Sequence, residues 1–200
     1  MARKEYTAGT VKLLFWFLEY KKFVKLLGEG ESYEDIKKKS EEENIFGAST
    51  PARGKQIYTT VSKRVQVLQQ EFHEIFLRSD LATQKLINLC SLLETDKLFF
   101  EFVYEVYREK LILGIPEIAD SDIRIFFSRK QEQDKTVAGW QEYTFKRLGN
   151  CYTQFLYEAG LLDSSKGTKN IIKPLLDIDL ENCLRKYEKE HILRALTGVD

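Results

Sequence analysis

Hydrophobic residues recur along most of this chain at intervals of three and four, the spacing that places them on one face of an α-helix. The first such segment runs from Thr10 to Leu27. Its apolar stripe consists of Val11, Leu14, Phe15 and Leu18, with Trp16 and Phe17 beside them. Alternating runs typical of strands are almost absent. The pattern therefore predicts an all-α fold, a compact multi-helix bundle.

A short turn separates the second and third predicted helices. Ser32, followed by Asp35, resembles a capping box and starts a charged helix over Tyr33 to Glu43. Thr50 and Pro51 mark the start of the third helix, because Thr caps helices and Pro is favoured at the first helical position. The order predicts a helix-turn-helix-like unit, a motif whose second helix enters the DNA major groove.

The third helix divides into two faces when residues are placed about 100° apart. Its packing face consists of Ile57, Val61, Val65 and Leu68. Its outward face consists of Lys55, Gln56, Thr59, Ser62, Lys63 and Gln66. Arg64 falls near the packing seam, where its stem extends from the core edge or its head pairs with an acid of the preceding helix.

The remaining pattern is helical up to the C-terminal region. Further helices are predicted over Phe72 to Leu77, over Leu81 to Leu93 after Asp80, from Thr95 to Leu113 before Gly114, and over Asp122 to Lys130, Trp140 to Glu158 and Asp179 to Leu196. The polar run Gln131 to Thr136 is the candidate loop between subdomains. The pattern predicts a short extended segment over Ile171 to Leu176, after a polar turn. This order is compatible with the β-hairpin of a wing.

We therefore expect residues 1–200 to form one domain. Within it, the pattern suggests a helix-turn-helix-like unit (1–78), central helices (79–134) and a winged-helix-like unit (135–200). A content of 43% hydrophobic residues is enough for one large core. The longest fully apolar run, Leu13 to Leu18, is far shorter than the about 20 residues of a membrane span, so we expect no membrane association and a cytoplasmic location.

Residues that usually carry catalysis or bind metals are sparse. His73 and His191 are the only histidines, and Cys90, Cys151 and Cys183 are distant in sequence and lack metal-ligand spacing. No phosphate-binding loop, dinucleotide fingerprint or hydrolase motif occurs. We expect a non-enzymatic protein without a cofactor or metal, and cysteines that are buried free thiols.

Local charge points to an anionic partner. Acidic and basic residues are equally numerous overall, 31 of each, yet Pro51 to Gln70 contains cations and no acid. The candidate nucleic-acid-binding residues are Arg53, Lys55, Gln56, Thr59, Ser62, Lys63 and Arg64. Lys and Arg can neutralise phosphates, whereas Gln56 and Thr59 suit phosphate oxygens or base edges. The alternative is an ordinary solvated helix surface.

A second basic cluster is diluted by Glu132, Asp134 and Glu142. It consists of Arg124, Arg129, Lys130, Lys135, Lys146 and Arg147. This cluster is either a further nucleic-acid contact or an ordinary solvated surface.

The order of several short motifs resembles the BrxA family of bacteriophage exclusion (BREX) systems. These motifs are Tyr6-Thr7-Ala8-Gly9, the Ser32 to Asn44 helix, the basic third helix, Trp140 with Thr144, Ala159-Gly160-Leu161-Leu162 and Lys173-Pro174-Leu175. The resemblance implies an all-helical, non-enzymatic component of an anti-phage defence operon. It also implies a fold similar to the antitermination factor NusB and binding of double-stranded DNA, with only the basic third helix transferred as the contact region.

Two other functions stay open. The chain could be an adaptor that docks other BREX proteins, with the basic helix against an acidic protein surface. The NusB likeness instead makes RNA the ligand.

Overall fold

The structure is a computed structural model that describes residues 5–199, and within them regular structure is entirely helical. A 3₁₀ turn (Gly9–Lys12) precedes the α-helices. These are α1 (Phe17–Gly28), α2 (Tyr33–Glu42), α3 (Pro51–Gln66), α4 (Gln70–Arg78), α5 (Leu81–Thr95), α6 (Lys97–Phe102), α7 (Arg108–Leu113), α8 (Asp120–Gln133), α9 (Lys135–Ala138), α10 (Glu142–Glu158), α11 (Ile178–Lys186) and α12 (Glu190–Thr197). A π-helical segment, Val103–Tyr107, joins α6 to α7 without a break. The predicted all-α class is confirmed.

The predicted C-terminal wing is not formed among residues 5–199. Two isolated antiparallel bridges, Glu117 with Asn170 and Leu162 with Ile171, stand in its place. Pro174 lies within the predicted strand and has no backbone N–H to donate to a ladder, so the pairing ends close to Ile171.

The chain divides into two compact units. The larger unit comprises Met1–Phe15 and Leu92–Asp200, and the smaller unit comprises Trp16–Ser91. The predicted subdivision at residues 78 and 134 stays a prediction, but the loop expected over Gln131 to Thr136 is wrong. Helix α8 continues to Gln133, and Asp134 caps α9 by accepting hydrogen bonds from the backbone N–H groups of Thr136 and Val137.

The first helix starts later than predicted because Trp16 is in the left-handed region, with φ 50° and ψ 47°. Phe15 is fully buried in the larger unit, 6.2 Å from the Phe155 ring, whereas Trp16 is buried in the smaller unit. The apolar run Leu13 to Leu18 therefore contributes side chains to the cores of both units. Leu14 and Leu18, predicted to be core residues, are 53% and 75% exposed.

The smaller unit is built around aromatic contacts and well-capped helices. The Phe23 ring lies 5.2 Å from Tyr33 and 5.9 Å from Tyr58, which joins α1 to α2 and α3. The capping box of Ser32 and the cap of Thr50 are both formed, as predicted. The connection between α2 and α3 is eight residues long, 43–50, instead of the three or four of a helix-turn-helix, so that motif is not confirmed.

The larger unit has an aromatic core around the helix Lys97–Leu113. The Phe99 ring lies 4.9 Å from Tyr152 and 5.4 Å from Phe155, while Phe102 meets Phe126 edge to face. Asp96, one residue after the predicted Thr95, caps this helix, and Gly114 closes it in the left-handed conformation. The predicted central helix is therefore confirmed in extent.

Two lysines are buried beside acids, and one of them, Lys130, belongs to the predicted second basic cluster. Lys130 is 3% exposed, and its Nζ lies 2.6 Å from carboxylate oxygens of both Glu101 and Glu105. Lys189 is 8% exposed and donates to Glu94 at 3.0 Å. The helix predicted over Asp179 to Leu196 is interrupted here, with Glu188 at φ 56°, and forms α11 and α12 instead.

We expect Lys130→Met to lower the free energy of unfolding by about 2–4 kcal/mol, because it removes the buried cation that bridges two carboxylates and leaves only Lys97, 3.8 Å from Glu101. The loss stays at the lower end of that range since the Glu105 side chain is 40% exposed. Urea unfolding would measure it. The matched control, Arg129→Met, removes an exposed cation and should change stability by less than about 0.5 kcal/mol. Equal losses in the two variants would contradict a structural role for Lys130.

Glu94 makes the larger unit sensitive to acid. Burial alone would raise the pKa of Glu94, but hydrogen bonds and positive charge from His191 and Lys189 outweigh it and lower the pKa to about 2. A lowered pKa stabilises the fold above pH 4.5, and this stabilisation is lost as the pH falls towards 2. We expect the stability difference between wild type and Glu94→Gln to shrink as the pH falls below 5, as measured by urea unfolding across pH. A difference that does not vary with pH would contradict this account.

Candidate nucleic-acid interface

Helix α3 has the rotation that its apolar pattern predicts. Val61 and Val65 are fully buried, and Ile57 and Leu68 are 3% and 4% exposed. Lys55, Thr59 and Lys63 are exposed on the opposite side, at spacings of four residues. Residues four apart lie above one another on a helix, so these three side chains form one ridge, which we call the α3 ridge. Gln66 is also exposed.

The α3 ridge lies in an acid-free segment that extends beyond Pro51 to Gln70. From Asn44 to Gln70 the chain contains no Asp or Glu. Lys55 and Lys63 are about 12 Å apart along the helix axis, from a rise of about 1.5 Å per residue. The ridge therefore presents one cation on each side of the Thr59 hydroxyl, and α3 contains no acidic residue.

Ser62 and Arg64 do not share this exposure. Ser62, predicted to be on the outward face, is 8% exposed, and its hydroxyl donates to the Thr59 carbonyl oxygen at 3.3 Å. It lies next to Val61 on the packed side, where a small side chain fits. Arg64 is 2% exposed, and its guanidinium lies 5.7 Å from the centre of the Trp16 ring. The prediction that Arg64 lies near the packing seam is confirmed.

Arg53 and Gln56 occupy an intermediate position at the start of α3. The Arg53 guanidinium lies 4.8 Å from the centre of the Trp16 ring and donates to Gln56 Oε1 at 2.7 Å. Both side chains are half-buried. Trp16 thus stacks with two arginines of α3, an arrangement in which the indole ring faces cationic charge. Arg53 is held in place by Trp16 and Gln56.

Trp16 contacts two of the candidate residues, although the sequence pattern does not indicate this role. Its neighbours made it look like part of one continuous helix stripe, and only its left-handed backbone and contact with α3 reveal its position. A left-handed conformation costs a non-glycine residue about 1–2 kcal/mol, so the surrounding packing must hold it there.

The two histidines and three cysteines form no chemical centre among the described residues. His73 Nε2 lies 3.1 Å from the Val65 carbonyl oxygen, and burial lowers the pKa of this histidine. Cys90 and Cys183 are buried, as predicted, whereas Cys151 is half-buried. Within residues 5–199, no group of three or more His, Cys, Asp or Glu is arranged to hold a metal ion. No helix in that range has the length and apolarity needed to cross a bilayer.

Adjacent cations on α3 should respond differently to truncation. We expect Arg64→Ala to cost about 2–4 kcal/mol of unfolding free energy, because it removes a buried side chain that packs against Trp16. Lys63→Ala, the control, should stay within about 0.5 kcal/mol because its side chain is in solvent. Chemical unfolding followed by circular dichroism would measure both. A similar cost for both variants would place Lys63 in the packing and remove it from the ridge.

Comparison with known proteins places this chain in a family. The BREX protein BrxA of Bacillus cereus (strain H3081.97) is 38% identical over 199 residues, which cover 99% of this chain and 100% of that protein. The BREX protein BrxA of Paramagnetospirillum magneticum (strain ATCC 700264 / AMB-1) is 21% identical over 86% of this chain and 85% of the relative.

A solved structure shares the fold. The crystal structure of an uncharacterized protein from Magnetospirillum magneticum matches with a TM-score of 0.82 and 17% identity, over 98% of this chain and 100% of that one. The sequence profile of the BrxA family matches residues 4–188. The chain therefore belongs to the BrxA family.

Proposed function

We propose that this protein is a non-enzymatic, cytoplasmic DNA-binding component of a BREX anti-phage defence system. Its curated relatives are named BREX proteins, which supports the role in defence. The observation that carries the DNA-binding part is the α3 ridge, where Lys55 and Lys63 are exposed on a helix in an acid-free segment.

The ridge suits the phosphate backbone better than base edges. Lysine is a flexible point charge that matches a phosphate, and it cannot read a base through two fixed hydrogen bonds as arginine or an amide can. The separation of about 12 Å between the two lysines is comparable to the about 12 Å width of the major groove. Lys55 and Lys63 would contact phosphates on both sides of the groove, with the Thr59 hydroxyl between them.

Arg53 adds a third contact at the start of the helix. Its guanidinium is stacked beside Trp16, so it loses little conformational freedom on binding. Thr50 already caps the Arg53 backbone N–H, which leaves the side chain as the group that meets a phosphate. Ser62 and Arg64 are excluded from the proposed interface because they are buried.

A second candidate function is that of an adaptor for other BREX proteins. Three apolar side chains of the larger unit are exposed in one stretch of chain: Ile172 at 43%, Leu175 at 94% and Ile178 at 65%. Exposed apolar residues that cluster together are typical of protein contact surfaces. Co-purification with a protein of the same operon after nuclease treatment would favour the adaptor over DNA binding.

The proposal predicts a salt dependence of DNA affinity. If Lys55, Lys63 and Arg53 each neutralise a phosphate, the logarithm of the affinity should fall against the logarithm of salt concentration with a slope of roughly −3. Mobility shifts with a duplex across a salt series would measure the slope. The double variant Lys55→Glu, Lys63→Glu should abolish the shift at the same salt, because repulsion replaces two attractions. Absence of a shift with any duplex at low salt would overturn the proposal.

Two controls separate the site from overall charge and from RNA. Lys21→Glu with Lys25→Glu makes the same change in net charge on exposed lysines of α1, and we expect binding close to wild type. Loss of binding in this control as well would reject the assignment to α3. Competition between duplex DNA and RNA then tests the NusB-like alternative, since RNA that displaces DNA at equal concentration would make RNA the ligand.

A further inference from the structure

A groove lies between α8 and α10 of the larger unit, and its lining includes none of the α3 residues used above. Its volume is about 480 Å³, within the about 300–1,000 Å³ typical of small-ligand sites. The floor is formed by Phe127, Phe145 and Gly149, which are all buried. A Cβ added at Gly149 would lie 2.8 Å from Ile123 Cγ2, so the helices approach closely only because this position has no side chain.

The rim of the groove has polar groups of several kinds. Arg124 belongs to α8 and Lys146 to α10, and both are exposed. Lys169 and, more weakly, Arg124 lower the pKa of Asp120 in the same groove. Ser128, Gln131 and Asn150 also line the groove. A ligand would therefore meet two exposed cations and three uncharged polar side chains.

The four charged residues of the lining, two acids and two bases, sum to zero, and the neighbouring Lys169 adds one positive charge. Asp120 at one end is already paired, because Lys169 Nζ lies 2.8 Å from its Oδ1. Glu142 is the other acid in the lining, against Arg124 and Lys146. An anionic group is therefore favoured between the two cations, while Glu142 can accept hydrogen bonds from hydroxyl groups, as carboxylates accept from ribose in nucleotide sites.

We infer that the groove between α8 and α10 binds a nucleoside monophosphate. Arg124 and Lys146 hold the phosphate, since guanidinium and ammonium groups are the side chains that recognise it. Glu142 accepts from the sugar hydroxyls. The amides of Gln131 and Asn150 meet the polar edge of the base, and the base face lies over the apolar floor. Each chemical part of the ligand then has a matching group in the groove.

Isothermal titration calorimetry of the whole protein with AMP, CMP, GMP and UMP tests this inference. At least one monophosphate should bind, and at least tenfold more tightly than either its nucleoside or inorganic phosphate, because both halves of the ligand contribute. Absence of saturable binding of all four at millimolar concentration would overturn the inference. Phosphate binding as tightly as the best nucleotide would reduce the site to an anion site and also overturn it.

Paired variants locate the site. Arg124→Gln with Lys146→Gln should weaken the nucleotide at least tenfold, because two charge-assisted contacts are lost. The control Arg129→Gln with Lys135→Gln loses the same charge at exposed positions outside the lining, and binding should stay within twofold. Equal weakening in both would make the effect one of general charge. If the groove variant instead keeps nucleotide binding but loses duplex binding, the groove belongs to the DNA surface and the inference fails.

Discussion

Burial of Ile57, Val61 and Val65 fixes the rotation of α3 about its axis, and the position of each polar side chain on the helix depends on that rotation. With these residues inward, Lys55 and Lys63 reach solvent, whereas Arg64 is drawn beside Trp16. A shift of the sequence by one residue along α3 would rotate every side chain by about 100° about the helix axis. The cap of Thr50 and the following Pro51 set where the helix begins.

Cations in this protein have two different roles, and burial separates them. Lys130 and Lys189 are almost fully buried beside carboxylates, so removing either would take a buried cation from its acidic partners. Lys55 and Lys63 lie in solvent and stabilise the fold little. A net charge of zero is therefore compatible with a locally cationic surface on α3. This separation makes DNA binding by a neutral protein physically reasonable.

Local signals in the sequence were enough to predict most helices and the packing face of α3. Ser32 with Asp35, and Thr50 with Pro51, act within one helical turn and do not depend on distant residues. Partners distant in sequence produced the errors. Lys189 meets Glu94, 95 residues away, so the segment predicted as one helix over Asp179 to Leu196 contains a buried lysine and a helix break.

The predicted start of α1 and the predicted outward position of Ser62 on α3 are wrong for the same reason, because both depend on packing that periodicity does not show. Phe15 and Trp16 are neighbours in one apolar run but are buried in different units, which periodicity cannot show. Ser62 is small and polar, so the sequence does not indicate on which side of the seam it lies. The side-chain lining of the groove between α8 and α10 likewise needs the packing of two helices, although two of its cations belong to the predicted second basic cluster.

An NMR titration of the labelled protein with a short DNA duplex at low salt would show which residues meet the DNA. We expect backbone amide shifts that centre on residues 53–66, together with changes in the side-chain ammonium signals of Lys55 and Lys63. Shifts that centre elsewhere in the chain, with α3 unchanged at saturation, would contradict DNA binding through α3.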